Sequence, residues 1–201
     1  MENINVLRDE AYQIAVAHGW HDEPQPDRHF LMLIICELAE AIEADRKNKH
    51  AVTDQFRYRL EYGLREEHLS GEAYERFYDR AFEDYIKDSV EDELADVVIR
   101  CLDLAGLRNL DLEIDVFKEW DTYKGVSKED LFKDKSLTIF AYDIVVELLS
   151  LTHFTVGRWT LINTIALIDA YCGYHGISLE WHVKEKVKYN KGREYKHGKR
   201  Y

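Results

Sequence analysis

Four carboxylates stand at regular spacing within two apolar stretches of the sequence. Glu37 and Glu40 are three residues apart in the first stretch, and Glu93 and Asp96 repeat that spacing in the second. Residues three apart on an α-helix project from one face, about one turn apart. Burying four acids without a counter-charge is costly, and these stretches offer too few bases to pair them. A divalent cation with all-oxygen ligands, Mg²⁺ or alternatively Mn²⁺, is therefore the predicted partner.

Two other interpretations of these acids are open. Acidic pairs three residues apart are common on solvated helix surfaces, which would explain a single pair. Two such pairs, each within a continuously apolar stretch, favour metal binding instead. A di-iron carboxylate bundle is another kind of metal site, but that fold uses Glu-x-x-His on two helices. Neither Glu40 nor Asp96 is a histidine, which weakens the di-iron interpretation.

A basic segment lies at the C-terminal end of an acidic chain. Residues 184–201 contain eight Lys and Arg residues against two Glu, whereas the whole chain has a net charge of −12. This distribution suggests a site that binds an anion and also uses metal. The net charge argues against non-specific binding of nucleic acid or of an anionic membrane. The longest uncharged apolar run, 30–36, is also too short to span a bilayer.

The elements that position these residues are predicted to be helices. Only two prolines and ten glycines occur among 201 residues, so the turns that many short strands need are missing. Apolar residues at helical spacing predict helices at 3–18, 29–47, 88–107, 112–123, 137–154, 157–172 and 178–190. We therefore expect an all-α helical bundle, with a charged linker at 126–136.

Residues 47–87 differ in composition from the helices on either side. They hold eight basic and nine acidic residues, with eight aromatic residues between them. Such a mixture predicts an amphipathic helical hairpin that turns around Ser70 and Gly71. We interpret it as an insertion whose rings either pack a small core of their own or offer a stacking surface to a ligand.

The second half of the chain shows signs of repeating the first. A shift of 67 residues aligns Gly106 with Gly173 and Gly125 with Gly192, and it keeps the helix breaks in step. A degenerate tandem repeat would form a pseudo-dimer within one chain. We predict one helical unit over 1–125, which carries the metal site and the insertion at 47–87. The second unit, over 137–201, carries the basic element.

The cysteines and the first residues bear on the cellular compartment. Cys36, Cys101 and Cys172 lie far apart in apolar stretches, an odd count without metal-ligand spacing. They are predicted to be buried thiols in a reducing compartment. The segment MENINVLRDE lacks the apolar core of a signal peptide. We therefore expect a cytoplasmic protein.

Three segments together resemble one protein family. The matching segments are CELAEAIEADR, EDELADVVIRCLDL and KVKYNKGREYKHGKRY. They are similar to the MazG-like all-α nucleoside triphosphate pyrophosphohydrolases, which are related to the dimeric all-α dUTPases. That family has ExxE on one helix, ExxD on a later one and a Lys/Asn/Arg element on the last. The resemblance covers 3–46, 88–107 and 178–201.

The resemblance implies a Mg²⁺-dependent hydrolase that converts an NTP or dNTP to the monophosphate and pyrophosphate. The implied metal ligands are Glu37, Glu40, Glu93 and Asp96. Either Glu37 or Glu40 would orient or deprotonate the attacking water. The implied triphosphate-binding residues are Lys188, Asn190, Lys191 and Arg193, with His197 in the same basic tail as a further candidate. The assembly would be a homodimer or an intrachain pseudo-dimer.

The sequence departs from the family in two respects. The segment 47–87 replaces a short connection, and Thr160 and Asn163 stand where the repeat would place a second ExxD. The second unit therefore has no copy of that acidic pair. A non-catalytic helical interaction protein with a vestigial metal site is the alternative function, and it predicts a stability independent of Mg²⁺. A nucleic-acid binder using the basic tail lacks any groove-reading motif.

Overall fold

A computed structural model describes residues 3–113, 128–149 and 156–195. These ranges contain nine α-helices and no strand, which confirms the all-α prediction. The helices are α1 (Ile4–Ala17), α2 (Asp27–Arg46), α3 (Thr53–Arg65), α4 (Gly71–Tyr85), α5 (Val90–Leu107), α6 (Lys128–Phe132), α7 (Leu137–Leu149), α8 (Arg158–Tyr174) and α9 (Leu179–Lys191). None of these nine helices combines the length and the hydropathy that a membrane crossing needs.

Two predicted segments differ from the observed elements. Of the helix predicted at 112–123, only Leu112 and Glu113 are described, and neither is helical. The segment 126–136, predicted to be a linker, contains the short helix α6. Phe132 at the end of α6 is buried and belongs to the main hydrophobic core, so this part of the prediction is wrong.

Helix α5 lies at the centre of the fold. Thirteen of its 18 residues are buried, and it packs against α1, α2, α8 and α9. Ser89 caps its N-terminus, because the Ser89 hydroxyl accepts a hydrogen bond from the Asp92 N–H at 3.2 Å. Near its C-terminus Gly106 lets α1 approach closely, since a Cβ there would lie 2.5 Å from the Cβ of Tyr12. The central helix is therefore fixed at both ends.

One hydrophobic core joins the two halves of the chain. It includes Ile34 of α2, Leu94 of α5, Ile165 of α8 and Val183 of α9. The predicted units at 1–125 and 137–201 thus share this core, and their division and the pseudo-dimer stay predictions. The prediction of three buried thiols is wrong in one case, because Cys36 is exposed while Cys101 and Cys172 are buried.

The segment 47–87 forms two helices, α3 and α4, as predicted. Their aromatic rings do not pack only among themselves, because the cluster also includes Tyr189 of α9. Phe82 stacks on Tyr189 with the ring centroids 4.4 Å apart. The Tyr78 hydroxyl donates to Glu185 Oε2 at 2.7 Å. The hairpin of α3 and α4 therefore braces α9, the helix that carries the basic element.

The buried side chain of His182 makes the stability of the folded protein sensitive to acid. The side chain lies in α9 and is 4% exposed, and burial lowers its pKa to about 4. The unfolded chain takes up a proton near the ordinary pKa of about 6.5, whereas the folded protein does not until about pH 4. Stability is therefore lost as the pH falls through this window.

Between pH 7 and pH 4.5 we expect the free energy of unfolding to fall by about 1–3 kcal/mol less in His182→Leu than in the wild type. Urea unfolding of both proteins at pH 7 and pH 4.5 measures the difference, and an equal loss in both would contradict it.

Candidate metal centre

Three carboxylates from two helices meet at one point. Glu37 comes from α2, and Glu93 and Asp96 come from the first two turns of α5. One oxygen from each carboxylate lies within 4.8 Å of the others. Glu37 and Glu93 are only 8% and 5% exposed. This set of hard oxygen donors fits Mg²⁺ or Mn²⁺, and it contains three of the four predicted metal ligands.

Two carboxylates of this group, Glu37 and Glu93, resist ionisation in the absence of a cation. Burial raises the pKa of Glu93 to about 8, and the negative charge of Asp96 adds to the effect. Burial also raises the pKa of Glu37, an effect that Asp96 increases and Arg100 opposes. Because a bound cation favours the charged form of each acid, the group is suited to take one up.

Glu40, the fourth predicted ligand, lies outside this group. It lines the same pocket but does not belong to the three-carboxylate cluster. The expectation that all four acids are buried is wrong for Glu40, since its side chain is exposed. The buried face of α2 runs through Ile34, Leu38 and Ala41, and Glu40 lies roughly a third of a turn away from the middle of that face.

Two cations that sequence reasoning missed already pair with the acids. Arg100 Nε donates to Glu37 Oε1 at 2.9 Å. Lys186 Nζ lies 2.7 Å from Asp92 Oδ2 and 2.8 Å from Asp96 Oδ2. Within α2 and α5 one base, Arg100, pairs with one of these acids, and the other base comes from α9, which the prediction did not consider. Arg100 stands one turn after Asp96 on the same helix, and this spacing is visible in the sequence.

Lys186 is charged although it is buried. Burial disfavours the ammonium form, but Asp96 and Asp92 outweigh it and raise the pKa of Lys186 above its ordinary value. Burial also raises the pKa of Asp92 to about 6, with Lys186 acting in the opposite direction. The Phe82 ring of the α3–α4 hairpin lies 5.7 Å from the ammonium. The lysine therefore links the hairpin, α9 and the acidic group.

The clustered carboxylates Glu37, Glu93 and Asp96 line one pocket of about 260 Å³, together with Arg100 and Lys186. Its carboxylates are Glu37, Glu40, Asp88, Glu93, Asp96 and Asp103, and its cations are Lys87, Arg100, Lys186 and Arg193. The acidic groups outnumber the basic ones by two. No ring of α3 or α4 lines this pocket, so these two fully described helices offer no stacking surface for a ligand there.

Half of the described basic element faces the pocket. Asn190 and Arg193 line it, whereas Lys188 and Lys191 do not. The ammonium of Lys188 lies 3.7 Å from the centroid of the Tyr78 ring, and Lys191 pairs with Glu10. The predictions for these two lysines are therefore corrected, while His197 lies outside the described residues.

Helical spacing explains this division of the basic element. Lys186 and Asn190 stand four residues apart and share one face of α9, and Arg193 follows just after the helix ends at Lys191. Lys188 lies about 200° around the helix from Lys186, which directs it away. The signal was present in the sequence as a Lys-x₃-Asn-x₂-Arg spacing. Asn190 Oδ1 is buried, and within the described part of the chain it has no hydrogen-bond partner.

The loop that follows α1 closes one side of the pocket. His21 Nε2 lies 2.6 Å from Asp103 Oδ1, and His18 Nε2 lies 2.8 Å from the backbone oxygen of Arg193. Trp20, between these two histidines, lines the pocket, and its ring centroid is 5.9 Å from the Arg100 guanidinium. The loop thus adds an apolar ring to a pocket dominated by charge.

Comparison of the chain with protein-family models, curated proteins and solved structures finds no match. The functional assignment therefore rests on the site itself. Buried acids beside the polar face of α9 can hold a divalent cation and an anion next to each other. A ligand that carries negative charge and binds a divalent cation would suit this combination.

Proposed function

We propose that this protein is a Mg²⁺-dependent nucleoside triphosphate pyrophosphohydrolase, with Mn²⁺ as an alternative metal ion. It converts an NTP or dNTP to the monophosphate and pyrophosphate, for nucleotide pool control or house-cleaning. One observation carries the proposal: Glu37, Glu93 and Asp96 meet within 4.8 Å in the pocket that Asn190 and Arg193 also line. A triphosphate needs both kinds of group, because metal and side-chain cations together neutralise its charge.

Each pocket residue has a role under this proposal. A divalent cation held by the three carboxylates would neutralise phosphate charge and polarise the bond to be broken. Arg193 and Asn190 orient the phosphates through charge-assisted and neutral hydrogen bonds. Glu40, exposed at the pocket, would orient or deprotonate the attacking water. Trp20 offers a face for the base.

The proposal extends to the fold and the assembly. The similarity of the ExxE, ExxD and basic segments to the MazG-like family supports a helical bundle of that type. In this chain α9 brings its polar residues to acids on α2 and α5 of the same molecule. We propose that this arrangement, a pseudo-dimer within one chain, completes one active site without residues from a second subunit. A homodimer remains compatible with it.

A non-catalytic interaction protein with a vestigial metal site is the second candidate function. The observation that favours it is the pairing of Lys186 with Asp96 and of Arg100 with Glu37, because internal cations can replace a metal ion in a degenerate site. The two functions differ in their response to metal. A bound ion present at a hundredfold its Kd stabilises a folded protein by about 2.7 kcal/mol. We expect Mg²⁺ to raise the melting temperature, and an unchanged melting curve would favour the vestigial site.

Hydrolysis itself is tested by pyrophosphate release from a panel of canonical and modified nucleoside and deoxynucleoside triphosphates. The assays are run with Mg²⁺, with Mn²⁺ and with EDTA, beside an Asp96→Asn variant. We expect metal-dependent release that EDTA and the substitution both abolish. Release of inorganic phosphate without pyrophosphate would assign cleavage to a different bond. If no triphosphate in the panel releases pyrophosphate or phosphate, the proposed enzymatic function is wrong.

A further inference from the structure

Lys186 pairs with a carboxylate that a bound metal ion would also use. Its ammonium lies 2.8 Å from Asp96 Oδ2, and Asp96 is one of the three clustered carboxylates. We propose that Lys186 is a tethered counter-ion that competes with the divalent cation for Asp96. Its release from Asp96 then couples metal binding to phosphate binding. This inference rests on the metal-binding part of the proposed function.

Lys186 is a buried cation that contacts two carboxylates. Its side chain is 6% exposed, and the two partners Asp92 and Asp96 are 0% and 20% exposed. The partners lie four residues apart on α5, while the lysine comes from α9. The pair is therefore tertiary, and salt in the solvent screens it far less than a surface ion pair. Without a metal ion, this ammonium offsets the repulsion among the acids.

Competition follows from the shared carboxylate. A divalent cation at the cluster and an ammonium on Asp96 Oδ2 would be like charges a few ångströms apart in a buried site, where their repulsion is strong. Asp92 provides an alternative, since Lys186 is 2.7 Å from Asp92 Oδ2. Asp92 is not in the cluster of Glu37, Glu93 and Asp96, although it forms a second group of three carboxylates with Asp88 and Glu93. The ammonium can thus give up Asp96 without losing every anionic partner.

The coupling to phosphate follows from the face of α9. Lys186 shares that face with Asn190, Arg193 follows just after the helix, and all three line the pocket. An ammonium released from Asp96 has donors free for an anion in the same pocket. Linkage requires the effect to be reciprocal, so a bound phosphate group must also tighten metal binding.

Mn²⁺ binding tests the inference without any turnover. Free Mn²⁺ is measured by electron paramagnetic resonance in titrations of the full chain, Lys186→Met and Lys188→Met, with and without pyrophosphate. The Lys188 variant removes the same charge from the same helix outside the pocket. We expect Lys186→Met to bind Mn²⁺ alone on the order of tenfold more tightly, and Lys188→Met to match the wild type. Pyrophosphate tightens Mn²⁺ binding in the wild type and does so less in Lys186→Met.

Equal or weaker Mn²⁺ binding by Lys186→Met would overturn the inference. Where that variant does not fold, the wild type answers the question through the ¹⁵N-detected signal of the buried lysine ammonium, assigned with Lys186→Arg. We expect Mg²⁺ alone to shift this signal, and an unmoved signal at saturating Mg²⁺ would overturn the inference. If the wild type binds no Mn²⁺, both the inference and the proposed metal site are wrong. Tighter binding by the variant in a protein that hydrolyses no triphosphate keeps the counter-ion role and removes only the enzyme.

Discussion

Glu93→Gln is expected to lower metal-dependent triphosphate hydrolysis on the order of a thousandfold while making the metal-free protein more stable at high pH. The amide keeps the shape of the carboxyl group but supplies no charge to a metal ion. The pKa of Glu93 is raised to about 8 by burial and by Asp96, so the wild type loses stability as the pH rises from the ordinary range of a glutamate through 8. Above pH 8 the variant avoids that loss, a difference of about 1–2 kcal/mol.

The two effects are measured separately. Steady-state hydrolysis with Mg²⁺ gives the first, and urea unfolding in EDTA at pH 6 and pH 9 gives the second. Glu43→Gln is the matched control, because Glu43 is an exposed acid of α2 that pairs with Lys47 and does not line the pocket. A Glu93→Gln variant that is inactive and also destabilised at pH 9 would mean that Glu93 supports the fold and not a metal ion.

Arg193→Gln is expected to lower kcat/KM for the triphosphate about a hundredfold, whereas Lys191→Gln changes it less than about twofold. Both substitutions remove one positive charge near the end of α9. Only Arg193 lines the pocket, since the Lys191 ammonium pairs with Glu10 on α1. The backbone oxygen of Arg193 that faces His18 stays in place in the variant, so the loop anchor is unaffected.

Steady-state kinetics over a range of substrate concentrations at saturating Mg²⁺ give both constants. A change confined to KM places the Arg193 contact in the bound ground state, and a change in kcat places it in the transition state. Similar losses from Arg193→Gln and Lys191→Gln would mean that α9 acts only through its overall charge, and the specific role of Arg193 would then be lost.

Much of the fold could be predicted from apolar periodicity. The helices α2 and α5 have long apolar repeats, and the hairpin of α3 and α4 is marked by its rings and by Gly71, which has a φ of 55°. Helix α6 was missed because its five residues, KEDLF, include only Leu131 and Phe132 as apolar positions. A single turn gives no repeat to detect, and its place in the core depends on tertiary packing.

The site was predictable where it depends on one helix and not where it depends on several. The ExxD spacing puts Glu93 and Asp96 on one face of α5, and the structure brings them together. The partner of Asp96, Lys186, lies 90 residues further along the chain, and no local pattern links the two. The resemblance of the basic tail to the family's Lys/Asn/Arg element led the prediction to Lys188 instead. Spacing along the helix, applied to that tail as it was to the acids, favours Lys186.

The burial of α5 has a consequence for how the molecule opens. Four helices enclose it, so its backbone amides exchange with solvent only when much of the structure unfolds. Glu93 and Asp96 stand on α5, whose amides we expect to exchange most slowly. Fluctuations of the surface loops therefore leave the backbone positions of these two residues unchanged. Because α9 itself packs against α5 and α4, we expect rearrangement on ligand binding in the side chains around the pocket and not in the helices that carry the acids.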